Sequence, residues 1–130
     1  MDSILRDYLE TLLFTTCEDD FPEFSYSGEF SASVTDISRF NEKSIIRSEA
    51  ELRIFERQAR AIVGHGGLQD SWPREFAYSR NGHGTGFFDS DDDYTEEQKD
   101  KLQDLACSFG EVYLFKYAGV RSTKCKIGIE

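Results

Sequence analysis

The chain has 130 residues, and 25 acidic against 15 basic side chains give it a formal net charge of −10 at pH 7. This charge excludes an ordinary duplex-DNA-binding protein, which needs a basic face to neutralise phosphates. A hydrophobic fraction of 38%, with 11 Phe, 6 Tyr and 1 Trp, predicts one compact domain over residues 1–130. No apolar run approaches the roughly 18 residues of a membrane span and no secretion signal opens the chain, so a cytoplasmic protein is expected.

Two helices are predicted in the first half of the chain. Residues 3 to 14 place apolar side chains at helical spacing on one face. A second apolar face runs from 37 to 63, with an expected interruption near 41 to 48, and Gly64 supplies a stop. The polar side of this second helix mixes arginines and glutamates at a spacing that favours i, i+4 ion pairs on a solvated surface. These residues are Arg47, Arg53, Arg57, Arg60, Glu49, Glu51 and Glu56.

Four strands are predicted in the second half. Residues 76–78 and 85–88 flank Asn81-Gly82, the dipeptide that best tolerates the positive φ angles of a two-residue hairpin turn. Residues 111–117 and 123–129 alternate in polarity and predict two further strands. The first pair is therefore expected to be a β-hairpin, and the second pair to join it in a sheet.

One helix separates the two predicted strand pairs. Thr95 followed by Gln98 forms a capping box, an apolar stripe follows it, and Gly110 ends the segment. The resulting order α-α-β-β-α-β-β predicts an α+β domain in which three helices pack on an antiparallel sheet of about four strands.

The acidic residues concentrate in two segments. Residues 1–40 carry a net charge of −7 and residues 89–104 one of −6, whereas residues 41–63 come to +1. If the two segments share a face they form a strongly negative patch for a basic partner; alternatively they are separate solvated surfaces that aid solubility. The predicted partner-binding residues are Glu18, Asp19, Asp20, Asp89, Asp91, Asp92 and Asp93.

The run from Asp89 to Asp93 places carboxylates at alternating positions, as the first half of an EF-hand calcium loop does. The second half does not fit, because Tyr94 stands where the turn needs Gly and Asp100 stands where a bidentate Glu is needed. A solvated turn before the N-terminus of a helix explains the run better. Neither a metal nor a cofactor is predicted.

Three cysteines at wide spacing form no CxxC pair, so neither a disulfide framework nor a zinc site is predicted. They are interpreted as buried free thiols in a reducing cytosol, with Cys107 at a packing position on its helix rather than acting as a nucleophile. Trp72 is likewise interpreted as a side chain that covers the edge of the core. The cysteines are Cys17, Cys107 and Cys125.

Arg80, Asn81 and His83 form a candidate ligand loop, although the glycines that alternate around them do not match the GxGxxG phosphate-binding motif. In a catalytic interpretation His83 is the general base, Asp89 orients it and Arg80 clamps an anion. In the alternative interpretation Asn81 and the glycines shape a tight turn, while Arg80 and His83 make structural hydrogen bonds. No catalytic residue is assigned.

The block from Arg80 to Asp89, followed by a helix and then Phe109-Gly110-Glu111-Val112, resembles a family of small bacteriophage proteins. Its members carry an R-N-G-H-G-x-G-F-W/F-D hairpin before a short helix and an F/Y-G-E-V strand. The resemblance covers residues 76 to 117, and the chain departs from it in Phe88, where Trp is commoner, and in a denser Asp run. It implies a phage or mobile-element origin inside a bacterial cytoplasm and implies no particular activity.

The acidic charge and the resemblance together predict a non-enzymatic inhibitor of a host defence enzyme, of the anti-restriction or anti-CRISPR type. It would imitate spaced phosphates and occlude a basic nucleic-acid channel. The expected partner is a host protein with a basic nucleic-acid-binding surface, and direct contact with nucleic acid or a membrane is not expected. Two alternatives remain: a small-ligand-binding protein or enzyme that uses Arg80, His83 and Asp89, and a regulatory phage protein that forms a homodimer.

Overall fold

The computed structural model describes residues 2–16, 40–64, 66–82, 86 and 87, 94–118 and 125–129. Within these ranges lie four helices and two short strands. In chain order they are α1 (Asp2–Thr16), α2 (Glu42–Val63), α3 (Trp72–Arg80), α4 (Glu96–Ser108), β1 (Leu114–Ala118) and β2 (Cys125–Ile129). None of these helices is both long and apolar enough to cross a membrane.

This part of the chain is mainly helical, so the predicted α+β class with an antiparallel sheet of about four strands is wrong. The largest error lies at the predicted hairpin, where residues 72–80 form α3. Pro73 stands in its first turn, where a missing N–H costs nothing and the fixed φ angle suits a helix. Asn81 ends the helix and Gly82 follows with φ of 75°. The positive φ that suggested a hairpin turn thus serves a helix C-terminus instead.

Helix α2 begins at Glu42, later than predicted, and runs without the expected interruption to Val63. The Asn41 side chain caps it by accepting a hydrogen bond from the Ser44 N–H at 2.8 Å. Gly64 ends it with φ of 87°, as the sequence predicts. Asn41 therefore caps the start of a helix at the position where the sequence predicted an interruption.

Helix α4 has the local structure that its sequence predicts. The Thr95 hydroxyl accepts from the Gln98 N–H at 3.1 Å, and the Gln98 side chain accepts from the Thr95 N–H at 2.9 Å. This reciprocal capping box satisfies two backbone donors that have no partner inside the helix. Gly110, with φ of 79°, follows the last turn.

The two strands form one antiparallel ribbon, with Leu114 opposite Ile129 and Ala118 opposite Cys125. β2 lies inside the predicted segment 123–129, and β1 begins three residues after the predicted start at 111 and ends one residue beyond 117. The Ile129 N–H donates to the Ser44 hydroxyl at 2.9 Å, which ties the ribbon to the first turn of α2. The ribbon is thus an attachment to a helical body in the described part of the chain, not half of a larger sheet.

The core is built around Phe55 of α2, which is fully buried. Its ring stacks on Phe76 at a centroid distance of 4.2 Å and on Trp72 at 5.7 Å. Phe87 stacks on it at 5.6 Å, and Phe109 approaches edge-on at 6.0 Å. Aromatic side chains from α2, α3 and the two segments that flank α4 therefore share one cluster, and such pairs add to the stability gained by burial alone. Trp72 is a core residue, as the sequence predicts.

Candidate functional site

Arg80, the first residue of the candidate ligand loop, lies inside the protein. It is the last residue of α3 and is only 2% exposed. All five of its N–H donors have acceptors. Nε donates to the Gly110 carbonyl at 2.8 Å, Nη2 to the Phe109 carbonyl at 3.0 Å, and Nη1 to the Tyr8 hydroxyl at 2.8 Å. The remaining two donors form a fork on the Glu51 carboxylate, each at 3.1 Å.

The arginine and its partners come from every part of the helical body. Tyr8 lies on α1, Glu51 on α2, Arg80 on α3, and Phe109 and Gly110 follow α4. The guanidinium also lies over the rings of Phe76 and Phe109, at 5.2 and 5.8 Å from their centroids. We call the polar side chains of Tyr8, Glu51 and Arg80 the Arg80 network.

The electrostatics of the network match this geometry. Burial opposes the charge of Arg80, but the hydrogen bonds and electrostatic attraction of Tyr8 and Glu51 outweigh the effect of burial, so the pKa of Arg80 is raised. Burial also raises the pKa of Tyr8 to about 12, against the opposing attraction of Arg80. The network is therefore a neutral phenol, a carboxylate and a permanent cation whose donors are all occupied. Arg80 has no donor left for a substrate anion, and the described geometry favours its structural interpretation over the catalytic one.

Asn81 is also occupied. Its side-chain oxygen accepts from the Val112 N–H at 2.9 Å, and its backbone N–H bonds back to the end of α3. The side chain therefore fastens the C-terminus of α3 to the segment that enters β1. His83, the third residue of the candidate loop, lies outside the described residues, as does Asp89.

Ser79 has a structural role that the sequence did not indicate. Its hydroxyl donates to Oε1 of Gln103 at 2.8 Å and accepts from the Phe87 N–H at 2.9 Å. Gly86 packs so closely on Ser79 that an added Cβ would overlap the Ser79 hydroxyl. Phe87 is fully buried next to it. Gly86 and Phe87 of the motif are thus explained by their packing on Ser79, which precedes the motif, and no local sequence signal indicated this contact.

The acidic residues predicted to bind a partner all lie outside the described residues: Glu18, Asp19, Asp20, Asp89, Asp91, Asp92 and Asp93. The structure does describe the helix that follows the second acidic run. Its exposed side carries four carboxylates, of Glu96, Glu97, Asp100 and Asp104. Lys99 lies 3.8 Å from Glu96 and Lys101 lies 3.1 Å from Glu97.

The other two carboxylates of that helix, Asp100 and Asp104, lie one turn apart and have no ion-pair partner in the described part of the chain. Both belong to the acidic segment 89–104, but the sequence did not mark them as binding residues. We define the exposed carboxylates of α4 as the α4 acidic face: Glu96, Glu97, Asp100 and Asp104.

The exposure of Cys107 differs from the prediction. The residue is exposed on α4, not buried as predicted, although its thiol lies 3.5 Å from the Ser79 carbonyl. The Cys17 position and the Cys125 side chain lie outside the described part. Among the residues that are described, no three His, Cys, Asp or Glu side chains converge in a way that could hold a metal ion.

Compared with protein-family models, with curated proteins and with solved structures, the chain gave no match.

Proposed function

We propose that the chain is a phage-encoded inhibitor that binds a bacterial nucleic-acid enzyme and blocks its basic substrate channel. The observation that carries the proposal is the α4 acidic face, where Asp100 and Asp104 are exposed and lack ion-pair partners in the described structure. The run from Asp89 to Asp93 directly precedes this helix in the chain. Exposed carboxylates on a helix are suited to attract and hold a cationic surface.

The proposed mechanism is electrostatic occlusion. Asp100 and Asp104 are four residues apart, which separates them by about 6 Å along the helix axis, and the helix thus presents a row of negative charges as a nucleic-acid strand does. A channel lined by Lys and Arg would exchange its counterions for these carboxylates, so binding should weaken as salt rises. No bond is made or broken in the partner, and the inhibitor acts as long as it is bound.

The occupied donors of Arg80 support this proposal over the small-ligand alternative. An anion clamp in the 80–89 loop would need Arg80, whose five donors are bound within the protein. Asn81 is engaged in the same way. Arg80 and Asn81 of the shared motif then have a structural role, because they hold α3, α4 and β1 together.

The test is a capture experiment from a bacterial lysate at low salt, with the captured protein identified by mass spectrometry and then purified. The first variant changes Asp91, Asp92 and Asp93 to Asn, and the second changes Asp100 and Asp104 to Asn. The matched control changes two exposed carboxylates elsewhere, Glu42→Gln with Asp70→Asn, and has the same charge as the second variant. We expect capture of a nucleic-acid enzyme that both variants weaken and the control does not.

Two results would contradict the proposal. One is a partner whose binding survives about 1 M salt, at which the Debye length is only about 3 Å. The other is a partner that duplex DNA does not displace. A His83→Ala variant separates the alternatives, because it should abolish function only if the loop binds a small ligand. Sedimentation of the purified chain tests the homodimer alternative.

A further inference from the structure

The outward side of α2 has a character opposite to that of the whole chain. Seven of its exposed residues fall on one stripe about 27 Å long at 1.5 Å per residue, at steps of three or four positions except for the adjacent Arg53 and Ile54. None of them is acidic, although the chain has a net charge of −10. We call this stripe the α2 face: Lys43, Ile46, Ala50, Arg53, Ile54, Arg57 and Ala61.

The cations of the α2 face have no ion-pair partner in the described part of the chain. Elsewhere on the same helix Arg47 lies 3.5 Å from Glu51 and Arg60 lies 3.0 Å from Glu56. Lys43, Arg53 and Arg57 have no such partner among the residues that the structure describes. The sequence predicted that the charges of this helix pair with one another. In the described structure Arg47 and Arg60, beside the stripe, are paired, whereas Arg53 and Arg57, on the stripe, have no ion-pair partner.

The same stripe carries exposed aliphatic side chains. Ile46 is 60% exposed and Ile54 is 39% exposed, and they are two of the three large hydrophobic residues exposed in the described structure. They lie two helical turns apart, with Ala50 between them and Ala61 beyond. Small residues between larger ones allow a second helix to approach closely and let the isoleucines pack into it.

We propose that the α2 face binds an acidic amphipathic helix of a partner protein. The length and the i, i+3, i+4 spacing of the stripe fit recognition of one helix by another. The partner helix would place small and aliphatic side chains against Ile46 and Ile54. Its Asp or Glu side chains would flank that seam and pair with Lys43, Arg53 and Arg57.

The helices α2 and α4 of a second copy do not supply this chemistry. Two α2 faces brought together would oppose like charges. The α4 acidic face would complement the cations, but the exposed side of α4 offers no large apolar residue to cover the isoleucines. Nucleic acid would pair with the cations too, but the charge of −10 opposes its approach and aliphatic side chains give its bases no stacking surface.

The test uses the full chain and a defined probe. The probe is a fluorescent synthetic helix of about three heptads with Leu and Ala on one side and Glu on both flanks, and its control has Lys in place of each Glu. Binding is followed by fluorescence anisotropy. We expect the Glu peptide to bind at least about tenfold more tightly than the Lys peptide, because only the first complements the arginines.

Two variants of the chain locate the binding. Arg53→Glu with Arg57→Glu reverses the charge of the face, and Ile46→Ser with Ile54→Ser removes its apolar seam. Each double substitution should weaken binding of the Glu peptide by about tenfold or more. The matched control is Arg6→Glu with Arg74→Glu, which changes two exposed arginines on α1 and α3 by the same charge. It should alter the affinity by less than about twofold, and thermal unfolding verifies that every variant is folded.

The proposal is overturned if the Glu peptide binds no better than the Lys peptide, or if it binds the charge-reversed variant as well as the parent chain. It is also overturned if sedimentation shows a dimer that Arg53→Glu with Arg57→Glu dissociates, since a second copy would then occupy the face. Tighter binding of a labelled DNA oligonucleotide through the same residues would assign the face to nucleic acid. None of these outcomes depends on the α4 acidic face, so this proposal and the proposed function are tested independently.

Discussion

Nη1 of Arg80 donates a hydrogen bond to the hydroxyl of Tyr8 at 2.8 Å, across 72 positions of the chain. Both side chains are buried, and the same guanidinium forks onto Glu51 of α2. A single arginine thus holds three helices in register. Taking two charges out of water to form a buried ion pair costs free energy. Removing one partner from the folded protein costs more, because the other charge is then buried without a partner. The first predictions concern that asymmetry.

Replacing Arg80 with Met should lower the free energy of unfolding by about 3 to 5 kcal/mol, because Glu51 and two backbone carbonyls lose their donor. Arg80→Lys keeps the charge but cannot reproduce the five-donor geometry, so it should fall between the parent and Arg80→Met. Urea unfolding measures both. Arg53→Met removes an exposed arginine and should change the stability by less than about 0.5 kcal/mol. Equal losses at positions 53 and 80 would contradict the structural role of the network.

Tyr8→Phe should destabilise the protein by about 1 to 3 kcal/mol, because it removes the acceptor of one buried N–H without filling its place. The variant also tests the raised pKa of Tyr8, which is about 12 against an ordinary value of 10.0. Folding favours the protonated phenol, so its contribution to stability is complete below pH 10 and is lost as pH rises towards 12.

Tyrosinate absorbance measures this titration directly. The difference between the parent chain and Tyr8→Phe should show one phenol that ionises near pH 12. In the same range the stability of the parent chain should fall more steeply than that of the variant. A difference curve centred at pH 10 would place Tyr8 in contact with solvent.

Gly86→Ala should destabilise the protein by about 1 to 3 kcal/mol, because the new Cβ would overlap the Ser79 hydroxyl and lie 2.9 Å from the Ser79 backbone nitrogen. Ser79 is buried and bonded to Gln103 and Phe87, so it cannot move aside cheaply. The matched control is Gly66→Ala, where an added Cβ meets nothing within 4 Å. Thermal unfolding of the two variants should differ clearly. Similar melting temperatures would show that the 79–87 contact does not form in solution.

Thr95→Ala should cost about 1 kcal/mol, because the first turn of α4 loses one of the two bonds of its capping box. Thr95→Ser keeps the hydroxyl and should retain most of that stability. Urea unfolding compares the two. The cap also holds the first residues of the α4 acidic face in helical geometry, so Thr95→Ala should weaken the proposed inhibitor modestly and Thr95→Ser should not.

Some features of the fold follow from short stretches of sequence. The capping box at Thr95, the stop at Gly64 and the ribbon strands are set by neighbouring residues, and they occur where the sequence predicts them. The error at residues 76–88 has a local cause as well. Asn81-Gly82 supplies a positive φ, and both a hairpin turn and a helix end use one. Pro73 was the local signal in favour of the helix.

By itself, the sequence determined the net charge, the concentration of carboxylates near α4 and the helices whose ends are marked by caps, since each depends on composition or on residues within one or two turns. Only the tertiary structure decided that Arg80 faces inward and that Arg53 and Arg57 have no ion-pair partner among the described residues. A cation's role depends on which carboxylates the fold brings within reach. For Arg80 those partners lie on other helices, Tyr8 on α1 and Glu51 on α2, at sequence distances that no local pattern records.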